Sequence, residues 1–198
     1  MTTPSSVKLI AETEVLIENI AKYYIEEVMR RGHNFVPSEQ LLDNIKAVAC
    51  WLNNTATKPG LLITGGVGCG KSTIMNAIYR VIKRYVKQAG GFSEDIKAIK
   101  AQNITSVFAD DITKSHYYYA KWLFIDDLGC DSPVVNNYGT KTTPMSDLLC
   151  ERYEKQLPTI ITTNLSSEDI LKIYGERIVD RLNEMCNKII YKNKSYRI

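Results

Sequence analysis

The run Leu61-Leu62-Ile63-Thr64-Gly65-Gly66-Val67-Gly68-Cys69-Gly70-Lys71-Ser72 constrains this chain more than any other segment. Its first four residues form a short apolar stretch without alternation, the pattern of a strand buried on both faces. The next eight match G-x-x-x-x-G-K-[ST] in full. From Lys71 to about residue 88, Ile74, Ile78, Ile82, Tyr85 and Val86 recur at helical spacing. Strand, glycine loop and helix in this order make a phosphate-binding loop. The glycines admit backbone conformations closed to other residues. Their N–H groups turn inward around an anion, and the helix N-terminus adds a positive partial charge. Residues Gly66, Val67, Gly68, Cys69, Gly70, Lys71, Ser72 and Thr73 are the expected nucleotide cradle. Lys71 reaches the β- and γ-phosphates and Ser72 ligates Mg²⁺. Cys69 reads as a small filler whose backbone matters.

The remaining pattern alternates. Apolar runs near Ile96–Ala101, Trp122–Ile125, Thr159–Thr162 and Lys188–Tyr191 read as strands, and residues 141–155, 166–173 and 175–185 as helices. Alternating strands and helices predict an α/β fold with a parallel sheet covered on both faces. Upstream, Leu16, Ile17, Ile20, Ala21, Tyr24, Ile25, Val28 and Met29 form one stripe of a helix over Val7–Arg31, ended by Gly32. Ser38 is the expected N-cap of a second helix that buries Leu41, Ile45, Val48 and Leu52. Met1–Ser6 reads as a tail, and residues 53–60 as a polar loop.

A length of 198 residues predicts one domain with a short extension. The net charge of +3 permits nucleic-acid binding without arguing for it. Five cysteines without a CxxC pair argue for reduced thiols rather than disulfides or a zinc site. His33 and His116 have no ligand-spaced partners. No secretory pattern opens the sequence and no apolar run approaches the ~20 residues of a membrane span, so a cytoplasmic protein without membrane contact is expected.

Two further strand ends carry polar groups. Trp122-Leu123-Phe124-Ile125 runs into Asp126 and Asp127. Ligands of open α/β sheets sit at the carboxyl ends of strands, which sets both acids near the phosphate loop. Asp126 is then the Mg²⁺ partner, directly or through water, and Asp127 the group that orients or deprotonates an attacking water. Pro158-Thr159-Ile160-Ile161-Thr162-Thr163-Asn164 ends in Asn164. By its residues alone this is either a hydrogen-bond donor to the γ-phosphate or water, or a strand-end turn before a helix capped by Ser166 or Ser167. Arg177 and Arg181 stand four apart on one helix face, where pairing with Glu176 and Asp180 is the plain alternative to function.

The phosphate loop, Leu-Phe-Ile-Asp-Asp-Leu-Gly, Pro-Thr-Ile-Ile-Thr-Thr-Asn and Gly-Glu-Arg-x-x-Asp-Arg-Leu stand here in the order and spacing of one family. Over roughly Leu41–Tyr191 the chain resembles the AAA+ ATPases of the DnaC/IstB type, which are helicase loaders and transposition helpers. The resemblance implies a three-layer P-loop NTPase fold with a five-stranded parallel sheet and no C-terminal lid. It divides the chain into an N-terminal helical extension over 1–36 and an ATPase core over 37–198. It makes Asn164 the sensor-1 residue, Arg181 an arginine finger acting on ATP held by a neighbouring subunit, and Arg177 the second basic residue of that motif. Many relatives carry Glu where Asp127 stands, and a shift of about 1 Å can cost ~10²-fold in rate, so turnover is expected to be slow.

The function so implied is a DnaC-like helicase loader in DNA replication. It would bind and hydrolyse ATP with Mg²⁺ at the interfaces of a homo-oligomer, a hexamer or open spiral, and contact single-stranded DNA. Its partner is a replicative helicase or a transposase. An IstB-like transposition helper, a nucleotide-gated binding module with little hydrolysis, and a small-molecule kinase are the alternatives. Three basic sets are candidates for DNA, each with a plainer reading as solvated face or packing: Arg80, Lys83, Arg84 and Lys87; Lys188, Lys192, Lys194 and Arg197; and Phe108 with Lys114, Tyr117, Tyr118 and Tyr119.

Overall fold

β1 (Gly60–Gly65), the strand that feeds the phosphate loop, lies inside a five-stranded parallel sheet. In the computed structural model, which describes residues 12–53, 58–132, 134–137 and 140–192, the sheet order is β2-β3-β6-β1-β7. The other strands are β2 (Ile96–Lys100), β3 (Trp122–Leu128), β6 (Thr159–Thr163) and β7 (Cys186–Tyr191). β1 pairs with β6 through Leu61↔Ile160 and with β7 through Leu61↔Asn187.

The period-2 pleat of a strand divides its side chains between two cores. Leu61 and Ile63 face one layer with Phe124 and Ile160, and Leu62 faces the other with Leu123, Ile125 and Ile161. The first layer is α1 (Thr13–Arg30), α2 (Glu39–Asn53) and α3 (Lys71–Gln88), which contribute Leu16, Ile20, Ile45, Val48, Ile74 and Ile78. The second is α4 (Ile104–Val107), α5 (Asp111–Tyr118), α6 (Pro144–Glu154), α7 (Ser167–Tyr174) and α8 (Glu176–Met185), contributing Ile104, Leu148, Leu149, Ile170, Ile178 and Leu182. Burying such a side chain stabilises by about 1.5–3 kcal/mol, which is why unbroken apolar runs were strands here.

Ser38 caps α2 as expected, its Oγ accepting from Leu41 N–H at 3.2 Å. Ser166 caps α7 in a capping box with Asp169. Two details of α1 differ from the expected stripe. Met29 is 63% exposed, and Glu27 is buried in its place. Glu27 faces α3, where its carboxylate accepts from Arg30, Arg31 and Asn76. The α1–α3 seam also takes up Arg80, which pairs with Glu26 at 2.6 Å and lies over Tyr23, and Arg84, which donates to Asn19. Two of the set Arg80, Lys83, Arg84 and Lys87 therefore fasten α1.

The sequence pattern did not assign α4 and α5, nor the antiparallel hairpin of β4 (Val135–Asn137) and β5 (Thr140–Thr142). α6 starts later than expected because Pro144 occupies the first helical turn after β5. All five cysteines are free. No helix among the described residues is long and apolar enough to cross a membrane. The Met1–Ser6 tail, residues 7–11 at the start of the expected first helix, loop residues 54–57, Lys194 and Arg197 lie outside the described residues.

Candidate functional site

At the carboxyl end of β1 the chain turns through the glycine loop. Gly65 has no room for a side chain: a Cβ there would meet the Tyr191 backbone oxygen at 2.4 Å. Gly68 (φ 78°) and Gly70 (φ 98°) take left-handed conformations that glycine adopts without strain. Gly70 is the N-cap of α3 and makes no side-chain cap bond, so the first N–H groups of the helix are left for another acceptor. Cys69 is buried and packs in the core beneath the loop.

Lys71 is buried, with three oxygen acceptors for its three N–H donors. Its Nζ donates to Gly65 O (2.9 Å), Gly66 O (2.7 Å) and Asn164 Oδ1 (2.5 Å), with Cys69 Sγ at 3.7 Å. The sheet order makes this possible, because β1 and β6 are neighbours and deliver the loop and Asn164 to the same edge.

The acids come from β3, on the far side of β6. Ser72 Oγ donates to Asp126 Oδ1 at 2.9 Å, and Thr162 Oγ1 donates to the same oxygen at 2.6 Å. Thr162 Oγ1 in turn accepts from Asp127 N–H at 2.9 Å. Asp127 sits at φ 58°, where the β3–β6 register shifts between Ile125 and Leu128. The Ser72 hydroxyl and the Asp126 carboxylate form a hard-oxygen pair of the kind Mg²⁺ takes from a protein when phosphate and water complete its shell. Among the described residues no group of three or more His, Cys, Asp or Glu side chains makes a self-sufficient metal site. The donor set fits Mg²⁺ arriving with a nucleotide.

Asp127 and Asn164 line a cleft of about 590 Å³ together with Val67, Gly68, Gly70, Lys71, Ser72 and Thr73. Its other wall was not foreseen in the sequence. It consists of Tyr24, Val28 and Arg31 at the end of α1, and His33, Asn34, Phe35 and Val36 in the connection to α2. Phe35 packs edge-on against Tyr24 with centroids 6.4 Å apart. Arg31 is fixed by Glu27, whose carboxylate accepts from its Nε at 2.9 Å. Arg30 beside Glu27, with burial opposing and Arg31 and Asn76 assisting, holds that carboxyl down to about 2. The visible signal was an acid interrupting the apolar stripe three and four residues before two arginines. A cleft with Val28, Phe35 and Val36 on one wall and an anion-binding loop on the other accommodates a base at one end and phosphates at the other.

Arg177 and Arg181 do not line this cleft. They line a second hollow, of about 540 Å³, with Asp111, Lys114, Tyr118, Tyr119, Asp147, Glu151 and Glu154. The pairing expected as the plain alternative, with Glu176 and Asp180, is not seen for Arg181. Its Nη2 bonds Glu154 in α6 at 2.6 Å and its guanidinium lies 5.0 Å from the Tyr153 ring centroid, while Nη1 is buried with no hydrogen-bond partner among the described residues. Tyr153 is itself hydrogen-bonded to Glu184. Arg177 is exposed and has no ion pair among the described residues. Beside the hollow, Lys114 lies over Phe108 and Tyr118, Lys155 over Tyr119, and Tyr119 is 58% exposed. Tyr117 and Tyr118 pack against the second core. His116 stands in the last turn of α5, away from both hollows' linings.

No protein-family model matches the sequence, and no curated protein matches it. Solved structures do. The chain is similar to the DnaC helicase loader (TM-score 0.63, 20% identity, over 80% of this chain and 93% of that one). It is also similar to DnaI (TM-score 0.54, 18% identity, 98% of this chain and 89% of that one). A replication initiator DnaA bound to AMPPCP and single-stranded DNA matches over 87% of this chain and half of its own (TM-score 0.54, 14% identity). At these identities the likeness is one of fold, and the fold is that of the AAA+ P-loop ATPases.

Proposed function

We propose that this chain is an AAA+ ATPase of the DnaC/IstB type that works as a helicase loader in DNA replication. The observation that carries the reading is the bonded set at three adjacent strand ends: Lys71 with Asn164, and Ser72 with Asp126. The structural likeness to a DnaC helicase loader supports the loader assignment, and the similar DnaA structure holds a nucleotide analogue and single-stranded DNA. A cytoplasmic protein is part of the same reading.

ATP enters with its base against Val28, Phe35 and Val36 and its phosphates in the loop. Lys71 gives up loop carbonyls for the β- and γ-phosphate oxygens, a charge-assisted exchange of roughly twice the strength of a neutral bond. Ser72 and Asp126 hold Mg²⁺, which when bound draws negative charge from the γ-phosphate oxygens. Asp127 accepts a proton from, or orients, the attacking water, and Asn164 hydrogen-bonds the water or the γ-phosphate. Arg181, facing away from its own cleft, serves a neighbouring copy, where such a finger is worth ~10³–10⁵ in rate. Arg177 supplies the second positive charge of that edge. Single-stranded DNA meets the Phe108–Tyr119 surface at Tyr119, whose exposed ring can stack a base, with Lys114 and Lys155 supplying charge beside it.

A second reading has its own observation. The Arg181–Glu154 pair keeps the finger on its own subunit, which favours a nucleotide-gated binding module with little hydrolysis. The ATPase rate against protein concentration, with and without single-stranded DNA, decides between them. The loader reading expects turnover per subunit to rise with concentration or DNA, and Arg181→Ala to stay flat while still binding ATP. Constant turnover indifferent to DNA and to Arg181 contradicts it. Absent turnover at every concentration selects the binding module.

A further inference from the structure

Thr162 is a residue for which the sequence offered no role, and the structure gives it two bonds inside the acid pair. It is fully buried in β6, opposite Ile63 of β1. Its single hydroxyl proton goes to Asp126 Oδ1 at 2.6 Å, and its lone pair takes the Asp127 N–H at 2.9 Å. Neither bond is interchangeable. The β3–β6 ladder holds register through Ile125↔Ile161 and resumes only at Leu128↔Thr163, so two β3 residues stand opposite Thr162 alone. An irregularity of this kind leaves backbone groups without ladder partners. The Thr162 hydroxyl supplies the acceptor that the ladder withholds from Asp127.

The second of these β3 residues carries backbone strain. Asp127 has φ 58°, a conformation that non-glycine residues keep only where their surroundings fix it. That turn directs successive carboxylates differently. Asp126 stays against Ser72, and Asp127 lines the cleft. Asp126 Oδ1 receives two hydroxyl protons, from Ser72 and from Thr162. Both bonds settle the rotation of the carboxylate, and its second oxygen accepts no hydrogen bond among the described residues.

We propose that Thr162 is the positioning residue for both acids: through one hydroxyl it fixes the orientation of the Asp126 carboxylate and anchors the turn that aims Asp127 into the cleft. The proposal rests on the ATPase reading above and adds to it a residue that acts through others without touching nucleotide. Valine has the shape of threonine without the hydroxyl, so Thr162→Val leaves the Asp127 N–H without its acceptor and Asp126 with one donor. Thr162→Ser keeps the hydroxyl and loses only a methyl.

The test compares wild type, Thr162→Val and Thr162→Ser for thermal unfolding, ATP binding, dependence of that binding on Mg²⁺, and turnover. Thr162→Val is expected to bind ATP at saturating Mg²⁺ within about threefold of wild type and to lose ~10–10²-fold in kcat, the scale of a misplacement of about 1 Å. It should also raise the Mg²⁺ concentration for half-maximal ATP binding by roughly 3–10-fold, since one bond orienting a metal-holding carboxylate is gone. Thr162→Ser should recover both. Equal loss in the valine and serine variants, or an unchanged Mg²⁺ dependence in a folded valine variant, overturns the proposal. Thr162→Ala replaces valine in the same comparison if the valine variant does not fold. Absent turnover in wild type refutes the hydrolysis reading alone, because the Mg²⁺ titration still decides the role of Thr162.

Discussion

Arg181 can serve a neighbouring subunit only after it leaves Glu154, and the structure sets the scale of that cost. The pair is close, at 2.6 Å, but the Glu154 side chain is 59% exposed. Solvent screens such a pair to about 0.2–1 kcal/mol. Stacking over Tyr153 holds the guanidinium by a further ~0.5–1 kcal/mol and does not depend on Glu154. The buried, unpartnered Nη1 works the other way. Removing the carboxylate charge with Glu154→Gln therefore shifts the release equilibrium by a factor of about 1.5–5. Phosphate release measured against protein concentration at saturating Mg²⁺ and ATP reads this directly. The plateau rate of Glu154→Gln should exceed wild type by about 1.5–5-fold, the dilute rate should be unchanged, and Arg181→Ala should stay flat. A plateau at or below wild type with assembly intact, beside an inactive Arg181→Ala, would refute the claim that this ion pair holds the finger back.

Two stability predictions follow from buried charge. The Glu27 carboxyl falls from 4.5 to about 2 on folding, because Arg30, then Arg31 and Asn76, favour its ionised form over the cost of burial. A depressed carboxyl stabilises above its unfolded value and loses that contribution as pH falls from about 4.5 toward 2. With Arg30 69% exposed, the screened contribution is about 1–2 kcal/mol. Urea denaturation should show that gap between wild type and Glu27→Gln at pH 7, shrinking below pH 4.5; a gap that does not narrow contradicts the assignment. Arg152 is wholly buried and donates to Thr159 Oγ1 and to the carbonyls of Tyr117, Tyr118, Ala120 and Pro158. Burial pulls its pKa down to about 9, so Arg152→Met regains some desolvation energy. It also strands three carbonyls, while Pro158 O keeps the Leu123 N–H. The net loss of about 2–3 kcal/mol should lower Tm by about 5–10 °C, and an unchanged melt would contradict it.

The nucleotide end of this molecule was legible because its chemistry is local. A buried strand, a glycine loop and a helix lie within about thirty residues, and the observed bounds of α3, Lys71–Gln88, match the expected ones. The middle of the sheet was legible because β3, β6 and β1 are short, nearly continuous buried runs, whereas the edge strands β2 and β7 interleave buried and exposed residues. What escaped depends on contacts distant in sequence. The far wall of the cleft is built by residues 24–36, which no motif links to the loop. Thr162 reads as one more strand threonine until the β3 register shift leaves an N–H for it to accept. α5 buries no residue of its own, so it has no apolar stripe to betray it. Arg152 carries no signal of burial in the sequence, because arginine is seldom buried without an acid, and here backbone carbonyls take the acid's place.

The central claim is that the phosphate loop of this chain binds ATP with Mg²⁺. Calorimetric titration of ATP into the protein, with and without Mg²⁺, for wild type and Lys71→Ala, tests it most directly. The account predicts one site per chain, tighter with Mg²⁺, and a loss of at least ~10²-fold in affinity for Lys71→Ala, as removal of a charge-assisted phosphate contact of about 3 kcal/mol requires. Equal binding by Lys71→Ala and wild type, or no binding by wild type, would contradict it.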